Sequence, residues 1–149
     1  MKFVIQCTTQ ASVTIDQKLY SEIRKGFLVL IGICDEDTKE TADKMVRKLI
    51  GMRIFSDENG KTNLALKDVD GQLLLVSQFT LYADCKKGNR PSFVKAGSPQ
   101  HANELYEYII DACKKEVPVV KTGVFGAEME VALINDGPFT IILDSKDLA

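Results

Sequence analysis

The sequence predicts one α+β domain, in which a mostly antiparallel, barrel-like β-sheet packs against two helices. Short apolar or alternating runs typical of strands recur along the whole chain, whereas only two stretches carry helical spacing. No repeat and no linker-like stretch interrupts this pattern. The chain has 149 residues, 45% of them hydrophobic, which is enough for a single domain over residues 1–149 with an ordinary core.

Strand patterns open the chain. Residues 3–8 and 11–15 read as two separate strands, and Asp16-Gln17 reads as a hairpin turn into a third strand over residues 18–23. Residues 26–34 are apolar almost throughout, which predicts a central strand that is covered on both faces.

Two helices are marked by their caps and apolar spacing. Asp37, with Glu40 three residues later, predicts a capping-box start for the first helix, and Gly51 ends it. Ser98 and Pro99 predict the cap and the first turn of the second helix. Helically spaced apolar residues give each a buried stripe: Ala42, Met45, Val46, Leu49 and Ile50 in the first; Ala102, Leu105, Tyr106, Ile109, Ala112 and Cys113 in the second.

The remaining strand patterns include one interrupted by a Gly-Pro pair. Residues 52–55 pair with 62–66, residues 72–82 form one long strand, and 119–122, 128–134 and 139–143 supply the last strands. Asp136-Gly137 lies between the last two and predicts a hairpin turn. Pro138 suits only a sheet edge or the first residue of a strand. A Gly-Pro bond can also be cis, and would then present fixed backbone carbonyls instead of a side chain. Alone, these residues favour the plain hairpin.

Composition limits the classes of function. A net charge of −2 and a pI of about 5.5 argue against a protein that grips long nucleic acid, so no DNA partner is expected. They leave room for a protein that holds one short end. Four scattered cysteines and a single histidine predict neither a metal site nor a cofactor. The start of the sequence runs straight into a strand, without a signal peptide or membrane-length apolar run, which predicts a cytoplasmic protein.

No stretch carries a convincing acid–base set. His101 is the only histidine, and no motif pairs it with Cys85 or Ser77, so a histidine-based triad is not expected. Glu128 and Glu130 lie two apart on one strand and read as its outward face. If the chain is an enzyme, its catalysis must therefore come from groups other than an acid–base pair of its side chains.

Two stretches together carry a family resemblance. Ser77-Gln78-Phe79-Thr80-Leu81 and Asn135-Asp136-Gly137-Pro138-Phe139-Thr140, in a chain of this length, resemble the D-aminoacyl-tRNA deacylase (D-tyrosyl-tRNA deacylase) family. The resemblance covers essentially the whole chain. It extends to Ala11-Ser12-Val13, Gly26 to Leu30, Arg90-Pro91-Ser92-Phe93 and Gly126-Ala127-Glu128-Met129.

The resemblance implies a homodimeric enzyme without a metal. Such an enzyme hydrolyses the ester between a D-amino acid, or glycine, and the 3′-terminal adenosine of tRNA. Its substrates here would be D-aminoacyl-tRNA and glycyl-tRNA. Ser77, Gln78, Phe79 and Thr80 would form the catalytic pocket, with backbone N–H groups near Phe79 and Thr80 stabilising the oxyanion and the tRNA 2′-hydroxyl helping to activate water.

The resemblance also implies the source of selectivity. Gly137 and Pro138, as a cis Gly-Pro element, would enter the partner subunit's site and reject L-aminoacyl-tRNA by a clash with backbone. Phe125, Gly126 and Met129 would hold the terminal adenine, although Met129 fits a core position equally well. Cys7 stands where the family commonly has an arginine that braces the Gly-Pro element, which puts that bracing in doubt, and Phe139 replaces a more usual valine.

One basic cluster lies in the loop over residues 83–98. Because the chain is otherwise acidic, we expect this cluster to contact phosphates near the acceptor end of tRNA: Lys86, Lys87, Arg90 and Lys95. Two alternatives stay open: a non-catalytic binding module for tRNA ends or D-amino acids, and a structural domain whose Gly-Pro turn is only a hairpin.

Overall fold

The computed structural model describes residues 1–149 as eight strands and two helices. In chain order they are β1 Lys2–Ile15, β2 Lys18–Ile23, β3 Gly26–Gly32, α1 Lys39–Gly51, β4 Phe55–Ser56, β5 Thr62–Leu64, β6 Gln72–Ser77, α2 Pro99–Lys114, β7 Val120–Thr122 and β8 Glu130–Asp144. Short 3-10 turns cover Leu66–Val69, Phe79–Tyr82 and Ser145–Asp147. No helix combines the length and the apolar character needed to cross a membrane.

Strand β1 organises the main sheet. One edge of β1 pairs with β8 along its length, and the other edge pairs first with β3 and then with β2, all antiparallel. Strands β3, β6 and β7 continue the sheet in parallel. The hydroxyl of Ser21 in β2 donates to the carbonyl of Thr122 in β7 at 2.7 Å, which brings the far strands together. The predicted α+β class with a barrel-like sheet and two helices is confirmed, and the sheet is mixed.

The sheet separates two apolar cores. The larger contains 25 buried residues and lies between the sheet and both helices. The smaller is enclosed by the curved sheet and consists of Ala11, Val13, Ile23, Leu28, Leu74 and Val76. In β1, Phe3, Ile5 and Cys7 face the first core, whereas Ala11 and Val13 face the second. An irregularity between Thr8 and Gln10 explains the change, because one extra residue turns every later side chain to the other face.

Three strand predictions are wrong: two predicted pairs of strands are each one continuous strand, and one predicted strand ends early. Residues 3–8 and 11–15 belong to one strand, β1, because the irregularity breaks the alternation without breaking the strand. Residues 128–143 do not form a hairpin, because both halves of β8 pair with β1 and Asp136-Gly137 lies in a bulge. Strand β6 ends at Ser77, and the predicted strand over residues 78–82 is a 3-10 turn instead.

The helix ends follow the sequence closely, with one correction. Thr38, not Asp37, caps α1: its hydroxyl accepts from the Thr41 N–H at 3.2 Å. Asp37 is buried and accepts from the Met1 amino group and from the Cys34 N–H, each at 2.8 Å. The Ser98 cap of α2 and the turn at Asp16-Gln17 are confirmed, the latter with both φ angles positive.

Candidate active site

The Ser77–Thr80 segment begins at the last residue of a deeply buried strand. Strand β6 is buried from Leu73 to Val76, and its last residue, Ser77, pairs with Ile31 of β3. The Gln78 N–H then donates to the Ile31 carbonyl at 2.7 Å, which holds the chain as it leaves the strand. The four candidate catalytic residues therefore lie at the carboxyl end of a rigid strand.

The 3-10 turn after Ser77 is seated against β3 through a glycine. A Cβ atom on Gly32 would lie 2.9 Å from the Cβ of Leu81 and 3.3 Å from the ring of Tyr82, so only glycine lets the turn approach this closely. Tyr82 is buried, and the Lys2 ammonium lies 4.8 Å from the centre of its ring. Sequence reasoning missed Gly32, because nothing local distinguishes it from other strand glycines.

The turn leaves two adjacent donors unpaired. The backbone N–H groups of Phe79 and Thr80 make no hydrogen bond within the chain, whereas that of Leu81 donates to the Gln78 carbonyl. Such free donors are expected in the first turn of any helix. The Gln78 side-chain amide donates to the Thr80 hydroxyl oxygen at 2.6 Å. The Thr80 hydroxyl hydrogen therefore remains available to another acceptor.

The Phe125–Met129 segment lies at the same end of the sheet. Strand β7 runs parallel to β6, and the Gly123 N–H after it donates to the Leu75 carbonyl at 3.2 Å. A Cβ atom on Gly123 would lie 2.5 Å from the Met129 sulfur, so this glycine makes room for the thioether. Sequence reasoning missed Gly123 as well. Met129 also packs against the smaller core, so it has a structural role in addition to its position near the site.

Tyr106 of α2 supports this end of the sheet from below. Its hydroxyl donates to the Leu75 carbonyl at 2.7 Å, and its ring centre lies 6.2 Å from that of Phe125. Burial raises the pKa of Tyr106 to about 12, so the phenol stays neutral and keeps its donor at physiological pH. Phe125 is half-buried, while Gly126, with φ of +77°, is exposed, and a Cβ atom added to it would meet nothing within 4 Å.

Gly137 and Pro138 lie far from Ser77 within one chain. The peptide bond between them is cis, and both residues are exposed. Across the sheet, Asn135 pairs with Thr8, Thr8 with Gly26, and Gly26 with Gln72, the first residue of β6. Ser77 is at the other end of β6, about 17 Å away along the strand. The structure does not bring the two segments together in one protomer.

An open cavity of about 700 Å³ lies at the Gln72 end of the sheet. Its lining includes Gln10, Arg24, Gln72 and Lys121 but no residue of the Ser77–Thr80 segment. This cavity is therefore separate from the candidate catalytic residues.

The Gly137-Pro138 bulge is tied to β1 by Asn135. Its side-chain amide donates to the Cys7 carbonyl at 3.0 Å and to the Phe139 carbonyl at 3.2 Å. The Cys7 side chain points into the larger core, and burial, with the nearby charge of Asp136, raises the pKa of its thiol to about 11. The thiol is therefore neutral, and this position supplies no cation.

The basic loop lies beside the Phe79 side chain. Asp84 and Ser92 pair across it, and the rings of Phe79 and Phe93 meet edge to face at 5.2 Å. The Lys95 ammonium lies 3.3 Å from the Asp84 carboxylate. The Lys86 N–H and then the Lys95 charge hold the pKa of Asp84 below its usual range. Lys86, Lys87 and Arg90 are exposed.

His101 is not assembled into a triad. Its ring Nε2 lies 2.9 Å from the Asp37 backbone carbonyl, at the junction of the two helix starts. Cys85 is an exposed free thiol, and Glu128 and Glu130 are both exposed. No group of three or more His, Cys, Asp or Glu side chains is arranged to hold a metal ion.

Comparisons with known proteins identify the family of the chain. The family model described as D-Tyr-tRNA(Tyr) deacylase matches residues 4–144. D-aminoacyl-tRNA deacylases of Clostridium novyi (strain NT) and Clostridium acetobutylicum are 51% and 49% identical over 146 residues, covering 98% of this chain and of each relative.

Two solved structures share the fold. One, named c-Myc DNA Unwinding Element Binding Protein, is 41% identical, with a TM-score of 0.91 over 97% of this chain and 98% of its own. The other, described as a probable eukaryotic D-amino acid tRNA deacylase, is 17% identical, with a TM-score of 0.82 over 95% of this chain and 97% of its own, and shows the fold alone. The family model and the curated relatives cover almost every residue, so the chain belongs to the D-Tyr-tRNA(Tyr) deacylase family and is a hydrolase of the aminoacyl-tRNA ester.

Proposed function

We propose that the chain hydrolyses the ester between a D-amino acid, or glycine, and the 3′-terminal adenosine of tRNA, and spares L-aminoacyl esters. The observation that carries the catalytic part is the pair of unpaired N–H groups at Phe79 and Thr80, fixed at the end of a buried strand. When water attacks the ester, the carbonyl oxygen becomes an anion. Preorganised backbone donors stabilise that charge, typically by about 3 kcal/mol each.

The water is activated by the substrate rather than by a protein base. Ser77, Gln78, Phe79 and Thr80 include no group that titrates near neutral pH. The 2′-hydroxyl of the terminal adenosine is adjacent to the ester and can both accept and donate a hydrogen bond, so it can orient water. The Thr80 hydroxyl accepts from Gln78 and can donate to the substrate. Thr80 is therefore the side chain most directly placed for the reaction.

Gly137 and Pro138 reject L-amino acids through backbone. Both are exposed at the tip of a bulge, and Gly137 offers no side chain to a ligand. A rigid backbone that receives the substrate's amino group leaves no room for a side chain of L configuration. A D side chain points away, and glycine has none, so both are hydrolysed.

A site that combines these segments needs two copies of the chain. Ser77 ends β6, whereas Gly137 lies in β8, three strands away and near the level of the opposite end of β6. The filter therefore reaches the catalytic pocket only from a partner subunit. Strand β8 has one unpaired edge, and Ile134 and Ile142 on it are 52% and 72% exposed. Exposed edges and apolar side chains of this kind favour association. We therefore propose a homodimer with shared active sites.

Mixing two inactive variants tests the shared site. A heterodimer of Thr80→Val and Gly137→Trp protomers contains one site with both changes and one site with neither. Random reassortment should therefore restore about a quarter of the parental turnover, because half of the dimers are mixed and each has one intact site. No recovery in verified heterodimers would contradict a site shared between subunits.

The substrate's terminal adenosine lies against Phe125, Gly126 and Met129. The ring of Phe125, the exposed glycine and the thioether provide an apolar surface at the same end of the sheet as the free donors of Phe79 and Thr80. Aromatic rings commonly stack on unpaired bases. The geometry supports this assignment because the segment continues from β7, next to the end of β6.

Phosphates near the acceptor end contact the basic loop. Lys86, Lys87 and Arg90 are exposed beside Phe79, and Lys95 can contribute if it leaves Asp84. The name of the 41% identical structure says that this relative binds a DNA element. Because our chain carries a net charge of −2, we propose contact with the tRNA end and not with long DNA.

The salt dependence of tRNA binding tests the basic loop. Neutralising Lys86, Lys87, Arg90 and Lys95 should lower the log–log salt slope by about 0.7 to 0.9 for each phosphate that the loop no longer neutralises. A matched control neutralises four exposed charges of α1: Lys39, Lys44, Arg47 and Lys48. Equal salt slopes for both variants would mean that the four charges of the loop face solvent and contact no tRNA phosphate.

Hydrolysis of matched esters tests the proposed function itself. Purified protein, with chelator present throughout, is given D-Tyr-tRNA, L-Tyr-tRNA and Gly-tRNA. We expect rapid loss of the D and glycyl esters and survival of the L ester. Equal loss of D and L esters would refute the filter. Tight binding without turnover would favour the non-catalytic binding module.

A further inference from the structure

The Gly137-Pro138 bulge has two ends, and one side chain contacts both. Asn135 pairs with Thr8 and Thr140 pairs with Gln6, so five steps along β8 face two steps along β1. Three extra residues therefore project from the sheet. A projection of this size keeps one position only if something ties its ends together.

The Asn135 amide makes that tie. Its Nδ2 donates to the Phe139 carbonyl at 3.2 Å, which closes the bulge from its first residue to its last, and to the Cys7 carbonyl at 3.0 Å, which anchors it to β1. Both partners are carbonyl oxygens, so the amino side of the amide must face them. A third bond, from the Gln6 side-chain amide to the Thr140 hydroxyl at 3.1 Å, lies just outside the bulge.

Cys7 provides no positive charge that could help to hold the Gly137-Pro138 bulge. The Cys7 side chain is 3% exposed and packs in the larger core, so its backbone carbonyl is a fixed anchor while its thiol is neutral. A neutral side chain that faces the core cannot brace a bulge on the opposite side of the strand. Fixing the bulge thus depends on Asn135.

We propose that Asn135 is the positioning residue that fixes the Gly137-Pro138 backbone for discrimination between D- and L-aminoacyl esters. The inference rests on the proposed filter and adds the residue that holds it in place. Asn135 is exposed, so its removal creates no cavity and spares the fold. Loosening the bulge allows the backbone to yield to an L side chain.

The test compares Asn135→Ala and Asn135→Asp with the control Gln6→Ala. The aspartate keeps the size of the side chain but turns two donors into a carboxylate that faces two carbonyl oxygens. Single-turnover hydrolysis of D-Tyr-tRNA and L-Tyr-tRNA gives a D-to-L rate ratio for each protein, and urea unfolding checks its fold. We expect this ratio to fall at least tenfold for both Asn135 variants, through faster hydrolysis of L-Tyr-tRNA, and to stay unchanged for Gln6→Ala.

The outcomes separate the inference from the filter on which it rests. Equal slowing of both esters, with the ratio unchanged, would mean that Asn135 is only structural and would overturn the inference. If Gly137→Ala slows the D ester while both Asn135 variants keep the parental ratio, the inference fails and the filter stands. If Gly137→Ala leaves the D rate unchanged in a folded protein, the filter itself fails, and the inference with it.

Discussion

Adding one methyl group at Gly137 tests whether the substrate meets this backbone. A Cβ atom there would have the Asn135 Oδ1 as its nearest neighbour, at 3.7 Å, which is ordinary van der Waals contact. The residue has no positive φ, so an alanine is not strained. The protomer can therefore accept Gly137→Ala. Its free energy of unfolding should stay equal or rise by about 0.4 to 1 kcal/mol, because alanine restricts the unfolded chain.

Any loss of activity must then come from outside the protomer. If the substrate's α-carbon lies against Gly137 in the partner's site, the methyl group overpacks that contact by about 1 to 3 kcal/mol. At 1.36 kcal/mol per factor of ten, hydrolysis of D-Tyr-tRNA should slow by about 5- to 150-fold. Single-turnover hydrolysis of D-Tyr-tRNA measures the rate, and urea unfolding followed by circular dichroism measures stability.

Gly51→Ala is the matched control. A Cβ atom at Gly51 would meet nothing within 4 Å, and this residue ends α1, away from both segments of the proposed site. Its hydrolysis rate should equal that of the parent protein. A Gly137→Ala rate within twofold of the parent, with stability intact, would remove Gly137 from the substrate contact. A drop in stability of more than about 1 kcal/mol would instead show that the protomer does not accommodate the methyl group.

Three further variants probe the other end of the site. Thr80→Val removes the hydroxyl that accepts from Gln78 and should slow single-turnover hydrolysis about 100-fold without unfolding the protein. Gly123→Ala would set a Cβ atom 2.5 Å from the Met129 sulfur, so it should displace the thioether and raise KM more than it lowers kcat. Tyr106→Phe should make the free energy of unfolding less dependent on pH between about pH 10 and 12. The raised pKa of about 12 means that the tyrosine stabilises the fold fully below pH 10 and loses this contribution as pH rises to about 12, by up to about 2 to 3 kcal/mol in urea unfolding.

Apolar patterning predicted the parts of the fold that depend on burial. The uninterrupted apolar run after Gly26 became β3, covered on both faces by the two cores. The helices followed their stripes, because an amphipathic stripe forms wherever a core is available to bury it. Ser98 with Pro99 fixed the start of α2 for a local reason, since both residues satisfy the helix end by themselves.

Long-range pairing determined what patterning could not. Asp136-Gly137 has the chemistry of a hairpin turn, yet β1 offers a 14-residue edge that pairs with both halves of β8. Extended pairing with β1 uses the backbone hydrogen bonds of both halves, whereas a local hairpin would pair them only with each other. The error at residues 78–82 is of the same kind, because Gly32 on a neighbouring strand admits the 3-10 turn.

The proposed site consists largely of backbone, which limits what residue types can reveal. Its donors are the N–H groups of Phe79 and Thr80, and its filter is the backbone at Gly137. Every residue has an N–H and a carbonyl except proline, so a sequence shows such groups only through the turns that expose them. Here the exposing features are the 3-10 turn after β6 and the bulge in β8, both of which depend on contacts distant in sequence.

Because the 3-10 turn and the bulge are far apart in one protomer, the proposed chemistry requires the proposed dimer. Ser77 and Asn135 belong to opposite ends of the same sheet, and no motion that preserves the β1–β3–β6 pairing brings them together. A monomer would have an oxyanion site without a filter at one end and a filter without a reaction at the other. A dimer that brings the bulge of one protomer to the turn of its partner resolves this. It follows that dilution below the dimer dissociation constant should lower the turnover of D-Tyr-tRNA per protomer, because the monomer's oxyanion site lacks the partner bulge that receives the substrate.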